Sequence, residues 1–201
     1  MSYSIDSSVA DCYPGTTCLV NKKGIKEEAL LSEYEAFVTT GKAAVLSKNP
    51  IEGKFNFEHY KAIHRFLFED IYDWAGQIRT TDLAKKNTRF IKASEIEETA
   101  GRIFERLNRL NNFKGMPFDI FVENIVDFYC VTNILHPFRE GNGRTQRIFI
   151  TQLVQNAGYE IRFSEIDTDE LMIATIQAAG GVKDSLYRIF REAIRIRPAA
   201  L

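Results

Sequence analysis

The chain has 201 residues, of which 45% are hydrophobic and 26% charged, as is typical of one globular domain with a full core. Its formal net charge of −1 gives no overall attraction for nucleic acid or a membrane surface, so we expect neither as a direct partner. No apolar run approaches the length of a transmembrane helix, and the polar N-terminus lacks the apolar centre of a signal peptide. The three cysteines are an odd number; Cys12 and Cys18 could pair, but we expect reduced thiols and a cytoplasmic protein.

Helical periodicity covers most of the chain and predicts an all-α bundle of about eight helices. Residues 1–23 indicate a lead-in loop, and residues 24–197 indicate a single domain without repeats or linkers. The first predicted helix covers residues 26–47 and ends before Pro50.

The second predicted helix covers residues 57–73, with Asn56 as its N-cap. Its apolar side chains lie on nearly all sides, which predicts a central position in the fold. We interpret His59 and His64 on this helix as ordinary surface and core side chains rather than as ligands.

The pattern changes at residues 77–92. Two short runs, residues 78–81 and 88–91, flank a basic turn that contains Asn87. They predict a β-hairpin. An exposed basic loop is the simpler interpretation of these residues taken alone.

Helical pattern then returns. Ser94 and Glu97 form a capping-box pattern at the start of a helix that runs to about Leu110, and Pro117 suits the first turn of the next helix. The remaining predicted helices cover residues 117–136, 144–155, 167–179 and 184–197, with a short extended segment at residues 159–163.

The turn between two of these helices has the features of an anion site. Residues 141–143 are Gly-Asn-Gly, which lets the backbone turn sharply and approach a ligand closely. The helix that follows offers free N–H groups and the positive end of its dipole. Arg144 and Arg147 are three residues apart and therefore share one face of its first turn, where they can bind phosphate oxygens.

Two more groups in the same stretch supply complementary chemistry. Glu140 offers a carboxylate oxygen for Mg²⁺ beside the phosphate, and His136 can take a proton near neutral pH. A glycine-rich interhelical turn with a capping histidine and surface arginines would explain any single element. It does not explain the whole array, which predicts a phosphoryl-transfer site.

Residues 136–147, His-Pro-Phe-Arg-Glu-Gly-Asn-Gly-Arg-Thr-Gln-Arg, match the Fic-family motif H-x-F-x-[D/E]-G-N-G-R-x-x-R at every defined position. Residues 67–76, which end in Trp-Ala-Gly, resemble a second signature of that family. The resemblance covers about residues 10–195. It implies the Fic fold, a helical bundle with a hairpin flap over the active-site loop, and transfer of AMP from ATP to a hydroxyl of a target protein.

The resemblance also implies a role for each motif residue. His136 is the general base that deprotonates a Ser, Thr or Tyr hydroxyl of the target, and Glu140 binds Mg²⁺. Phe138 packs under the loop. The residues implied to hold the phosphates, through backbone and side-chain donors, are Gly141, Asn142, Gly143, Arg144 and Arg147.

In Fic proteins the hairpin that matches residues 77–92 is a flap that pairs with the target's backbone by strand addition. The flap residues implied for docking ATP or the target are Lys85, Lys86, Asn87, Thr88 and Arg89.

Many family members carry an inhibitory helix with the motif [S/T]-x-x-x-E-[G/N], whose glutamate pairs with the arginine that corresponds to Arg147. The nearest match here begins at Ser94 and has Thr99 in place of Gly or Asn. The resemblance therefore implies a bacterial toxin without its own brake, restrained by a small helical antitoxin that supplies the glutamate. The target class that it suggests is a type II topoisomerase subunit.

Two alternatives stay open at this point. The chain could be a module that binds nucleotide and antitoxin but transfers nothing, or a member that transfers another phosphate-containing group. Gly143 bears on the second alternative, because members that phosphorylate their targets carry Lys there.

Overall fold

A computed structural model describes residues 4–5, 11–85 and 88–196 of the chain. The fold is mostly helical, as predicted, with seven α-helices among the described residues. They are α1 Glu28–Lys48, α2 Phe57–Phe68, α3 Ile96–Arg109, α4 Phe118–Leu135, α5 Asn142–Asn156, α6 Thr168–Ala179 and α7 Asp184–Ala193.

Helix α2 is central, which its apolar pattern predicted. It packs against α1, α3 and α5, and both His59 and His64 on it are buried. Phe149 of α5 is the centre of an aromatic cluster between these helices and α4. The rings in contact with it belong to Phe55, His59, Tyr60, Phe104 and Phe128.

The two predicted N-caps have different outcomes. The Asn56 side chain accepts a hydrogen bond from the backbone N–H of His59 at 2.9 Å, so this cap is confirmed. The capping box at Ser94 is wrong. Residues Ala93–Glu95 form a 3₁₀ turn, and α3 begins at Ile96 without a side-chain capping bond.

A small antiparallel sheet contains the predicted flap. Its strands, in the spatial order β1-β2-β3, are β1 Ser4–Ile5, β2 Leu83–Lys85 and β3 Thr88–Arg89. The hairpin is confirmed, but its first strand does not lie at residues 78–81. The segment Ser4–Ile5 of the lead-in adds a third strand to it, with Ser4 opposite Ala84.

The two segments next to the hairpin, residues 78–82 before β2 and residues 90–92 after β3, form the flap stem. Their hydrogen bonds explain why the first strand begins later than predicted. The backbone N–H of Arg79 donates to Pro137 at 2.9 Å, and that of Ile91 donates to Ile134 at 3.0 Å. Because both stem segments bond to the C-terminal end of α4, they cannot form a ladder with each other. The hairpin pairs only beyond them.

Residues 11–23 of the expected lead-in loop pack against the core. Cys12 and Leu19 are buried and face each other in an isolated antiparallel bridge. The backbone N–H of Lys22 donates to Ile71 at 2.8 Å, just after α2. This part is irregular, with turns and one isolated bridge, and it is anchored to the core.

The C-terminal helix is shorter than predicted. Strand β4, Tyr159–Ile161, falls within the predicted extended segment and pairs with β5, Ile194–Ile196. The alternation Ile194-Arg195-Ile196 has the period of a strand, which the helical pattern before it had concealed. Helix α7 therefore ends at Ala193.

Cys12, Cys18 and Cys130 are free thiols, as predicted. Within the described ranges, no helix has the length and apolar character needed to cross a bilayer.

The two caps provide a stability test of the fold. Asn56→Ala removes the acceptor of a capping bond and is expected to lower the free energy of unfolding by about 1 kcal/mol. Ser94→Ala is the matched control and should change it by less than about 0.5 kcal/mol, because Ser94 makes no capping bond. Urea denaturation measures both values, and equal losses would contradict the assigned start of α3.

Candidate active site

The loop between α4 and α5 provides a backbone anion site. Gly141 has φ of +79°, and a Cβ there would lie 2.2 Å from the Phe68 ring, so only glycine fits. Asn142 begins α5, and its N–H, with those of Gly143 and Arg144, belongs to the first turn, which lacks helical acceptors. These N–H groups and the helix dipole can bind phosphate oxygens.

The Asn142 side chain closes this loop. Its Oδ1 accepts from the Phe138 backbone N–H at 2.8 Å, and its Nδ2 donates to the Phe138 carbonyl at 2.7 Å. One N–H of Nδ2 is used in this way, and the other leaves the predicted donation of this amide to phosphate as a prediction. The side chain braces the main chain, and the backbone N–H of Asn142 belongs to the first turn of α5.

His136 follows the last residue of α4 and is buried, with φ of +42° and ψ of +59°. Its Nδ1 lies 3.2 Å from the Asn133 carbonyl. Since a carbonyl only accepts, Nδ1 carries the proton and Nε2 keeps a lone pair. Burial above all, together with the nearby cations Arg79 and Lys85, lowers the pKa of His136 to about 3, although the bond to the Asn133 carbonyl acts in the opposite direction. The ring is therefore neutral and can accept a proton.

The flap lies directly on this histidine. The Phe90 ring, next to β3, stacks on the His136 ring with centroids 3.7 Å apart and planes 10° apart. The hairpin thus covers the active-site loop, as the sequence predicted.

The predicted docking residues of the flap fall into three groups. Lys85 and Thr88 are half-buried and lie opposite each other in the hairpin, and Arg89 is exposed. Lys86 and Asn87 lie outside the described residues. Because β1 already pairs with β2, the edge of the hairpin itself that a further strand could join is the outer edge of β3.

His64 of α2 supports the loop between α4 and α5, a role that the sequence did not reveal. The Gly76 N–H donates to its Nδ1 at 2.8 Å, so its Nε2 carries the proton and donates to the Glu140 carbonyl at 3.0 Å. Its ring also stacks on the buried Phe138 ring at 3.8 Å. The expected packing of Phe138 under the loop is confirmed.

Arg144 is held by a carboxylate that the sequence analysis missed. Its Nη2 donates to Glu35 of α1 at 2.6 Å and to Glu140 at 3.2 Å, and its guanidinium lies over the Phe68 ring. The Tyr72 hydroxyl also donates to the buried Glu35 side chain. No short-range sequence pattern links Glu35 to the motif, because they are more than 100 residues apart.

Arg147 is half-buried, and its environment differs. In the part of the chain that the structure describes, it forms no ion pair, and burial lowers the pKa of its guanidinium. The adjacent cation Arg144 lowers this pKa further. A buried cation without a carboxylate is costly, so this position favours an anionic ligand.

The residues fit a phosphate-bound magnesium ion better than a protein cage. Within the described ranges, no three His, Cys, Asp or Glu side chains cluster as a metal site. Glu140 is partly exposed beside the free N–H groups, with Oε1 accepting from Gly141 at 2.7 Å. Mg²⁺ is commonly held by one or two carboxylates together with substrate phosphates and water, which this arrangement suits.

Comparison with known proteins agrees with this geometry. The model of the Fic/DOC family matches residues 54–154. The probable protein adenylyltransferase Fic of Salmonella typhimurium is 35% identical over 182 residues, which cover 90% of each chain. The chain belongs to the Fic/DOC family. The protein adenylyltransferase VbhT of Bartonella schoenbuchensis is 36% identical over 178 residues, which span 89% of this chain but 37% of VbhT.

Solved structures of Fic proteins share the fold. The effector protein BepC of Bartonella tribocorum, solved with bound AMPPNP, superposes with a TM-score of 0.87 and 29% identity, covering 94% of this chain and 98% of the other. The N-terminal Fic domain of a Bartonella quintana effector, solved with bound ADP, gives a TM-score of 0.88 and 29% identity, covering 94% and 96%.

The two buried histidines of the site predict acid sensitivity. Their pKa values are about 3 in the folded chain, whereas the unfolded chain protonates each ring below about 6.5. The unfolded state thus binds more protons, so stability is complete above about pH 6.5 and is lost as the pH falls toward about 3.

Each histidine should contribute a loss of about 1 kcal/mol in the free energy of unfolding between about pH 6 and about pH 5. His136→Ala should remove its share of that loss, as measured by urea denaturation at both pH values. An unchanged pH dependence in this variant would contradict the assignment of a neutral buried His136.

Proposed function

We propose that the chain transfers AMP from ATP to a Ser, Thr or Tyr hydroxyl of a target protein and releases pyrophosphate. The observation that carries the proposal is the neutral imidazole of His136 beside an anion site of free N–H groups and two arginines. Relatives named as protein adenylyltransferases support it, as does the bound AMPPNP of BepC.

In this mechanism the target hydroxyl approaches Nε2 of His136, which accepts its proton. The hydroxyl oxygen forms a bond to the α-phosphorus, and the bond from that phosphorus to the bridging oxygen of the β-phosphate breaks. Arg144 and Arg147 bind the β- and γ-phosphates, so the charge that develops on pyrophosphate lies beside guanidinium groups.

The first turn of α5 completes the site by donating its N–H groups to the phosphates. Glu140 is the residue that would hold Mg²⁺, and the ion, when bound, supplies further neutralisation of phosphate charge. Gly143 leaves the approach to these N–H groups open, which favours AMP transfer over phosphorylation.

Labelled ATP tests the reaction. With α-³²P ATP, Mg²⁺ and a bacterial lysate, the purified chain should label protein bands, whereas γ-³²P ATP should leave them unlabelled. His136→Ala should lower the labelling rate by about 100-fold or more while ATP still binds, because it removes the base and none of the phosphate donors.

Lys114→Ala, at an exposed position before α4, is the matched control for expression and folding. Transfer of the γ-label would replace the proposal with a kinase. ATP binding without either label would indicate a nucleotide-binding module, and full activity in His136→Ala would exclude this histidine as the base.

We further propose that a separate helical antitoxin controls the chain by placing a glutamate on Arg147. The support is the absence of an ion pair on this half-buried arginine within the described residues. The nearest internal candidate, Glu98, is exposed on α3 and pairs with Arg102. A type II topoisomerase subunit is the target class that we propose to test first.

A synthetic helical peptide with the sequence pattern [S/T]-x-x-x-E-[G/N] tests this control. The isolated chain should be active, and the peptide should inhibit it by competing with the γ-phosphate for Arg147. The same peptide with Gln in place of Glu should inhibit at least about tenfold more weakly, since it loses a charge-assisted bond to a buried arginine. Equal inhibition by both peptides, or a chain that is inactive alone and insensitive to either, would contradict the proposed control.

A further inference from the structure

Arg79 is a buried cation that the proposed reaction does not use. Its side chain has an exposed fraction of 0%, and its nearest carboxylate, Asp82, is 4.0 Å away and largely exposed. Burial lowers the pKa of its guanidinium. Burial of a charge is costly unless its donors are bonded, so a specific arrangement must compensate this one.

Main-chain carbonyls provide that compensation. Nε donates to the His136 carbonyl at 2.8 Å, Nη1 donates to Thr81 at 2.6 Å, and Nη2 donates to Ile91. The backbone N–H of Arg79 donates to Pro137 at 2.9 Å. One residue thus binds both sides of the flap stem and the two residues that follow α4.

These bonds stabilise the C-terminal end of α4 in particular. The last carbonyls of a helix lack helical donors and carry the negative end of the dipole, so a guanidinium there is favourable. His136 is also in the left-handed region, which is uncommon for a non-glycine residue and persists only where surrounding contacts hold it. Arg79 holds this part of the main chain in place, because it donates hydrogen bonds to the carbonyl of His136 and to that of Pro137.

The His136 ring depends on the same arrangement. One face is covered by Phe90, which precedes Ile91, a carbonyl partner of Arg79. Displacement of the guanidinium would therefore loosen the main chain of His136 and the flap residue stacked on its ring at the same time.

We propose that Arg79 is a positioning residue for His136, which locks the flap stem to the general base and sets the direction of its Nε2. This proposal rests on the proposed AMP transfer for its kinetic test. It acts through the main chain and the flap, and it involves no contact with ATP.

The charges around the ring provide a readout that is independent of activity. Among the described residues, the charged groups that act on His136 are Arg79 from the stem and Lys85 from β2, and both are cations. The Asn133 carbonyl and the Phe90 ring, which also contact it, do not titrate. Loss of the Arg79 charge should therefore raise the pKa of His136.

The decisive experiment compares Arg79→Gln and Arg79→Lys in the full chain. Arg79→Gln should lower kcat for AMP transfer by about 100-fold, because a small misplacement of a catalytic group has an effect of this size. The KM for ATP should stay within about threefold, since the phosphate contacts at residues 141–147 are intact. Arg79→Lys keeps the charge but not the fork of donors, so its kcat should fall by at least about tenfold.

NMR titration of the His136 ring, without ATP, completes the test. The pKa of His136 should rise in Arg79→Gln, because a nearby cation is lost, and should rise less in Arg79→Lys, which keeps the charge. Arg109→Gln, the same change at an exposed position at the end of α3, should leave both kinetics and titration unchanged. If the wild-type chain transfers no AMP, the proposed function fails, and the titration still decides the role of Arg79.

Several outcomes would overturn the proposal. They are a kcat within about threefold of wild type in either variant, a loss confined to the KM for ATP, or an unchanged His136 pKa in a folded Arg79→Gln chain. If Arg79→Gln does not fold, Arg79→Lys decides the question by its kcat and by the same KM comparison.

Discussion

The reciprocal bonds between the Asn142 amide and the main chain of Phe138 are the constraint on which the site depends. They close a loop of five residues, so that the end of α4 and the start of α5 meet at a fixed angle. The free N–H groups of α5 then lie beside His136, the residue that follows α4. Preorganisation of this kind places charge stabilisation and base together without cost at the moment of reaction.

The supports of this loop are polar groups buried in neutral or paired form. His64 is neutral because both ring nitrogens are committed, one to Gly76 and one to Glu140, and burial lowers its pKa to about 3. The Glu35 carboxyl group is bonded to Arg144 and Tyr72. Both His64 and Glu35 therefore have partners that belong to the site or its rim, which links the stability of the core to the geometry of the loop.

The sequence predicted the motif residues, the flap and most helices, because these depend on local periodicity and on a contiguous pattern. It failed where a distant contact decided the outcome. Residues 78–81 have the composition of a strand, yet Arg79 bonds to Pro137 instead of to the opposite segment. Glu35 and His64 reach the loop from α1 and α2, and nothing in their own neighbourhood marks them. The short strand at residues 194–196 forms only because a partner strand lies more than 30 residues earlier.

The two arginines of the motif differ in what holds them, and this difference bears on control. Arg144 already binds Glu35 and Glu140, so a phosphate joins an existing network and its guanidinium stays in place when the site is empty. Arg147 has no carboxylate among the described residues, although it is half-buried. Binding of an anion is more favourable at a buried charge that lacks a partner, because the anion offsets the desolvation cost of that charge. A regulatory carboxylate would therefore compete most effectively with the nucleotide at Arg147, and the internal Glu35 stabilises Arg144 without occupying that position.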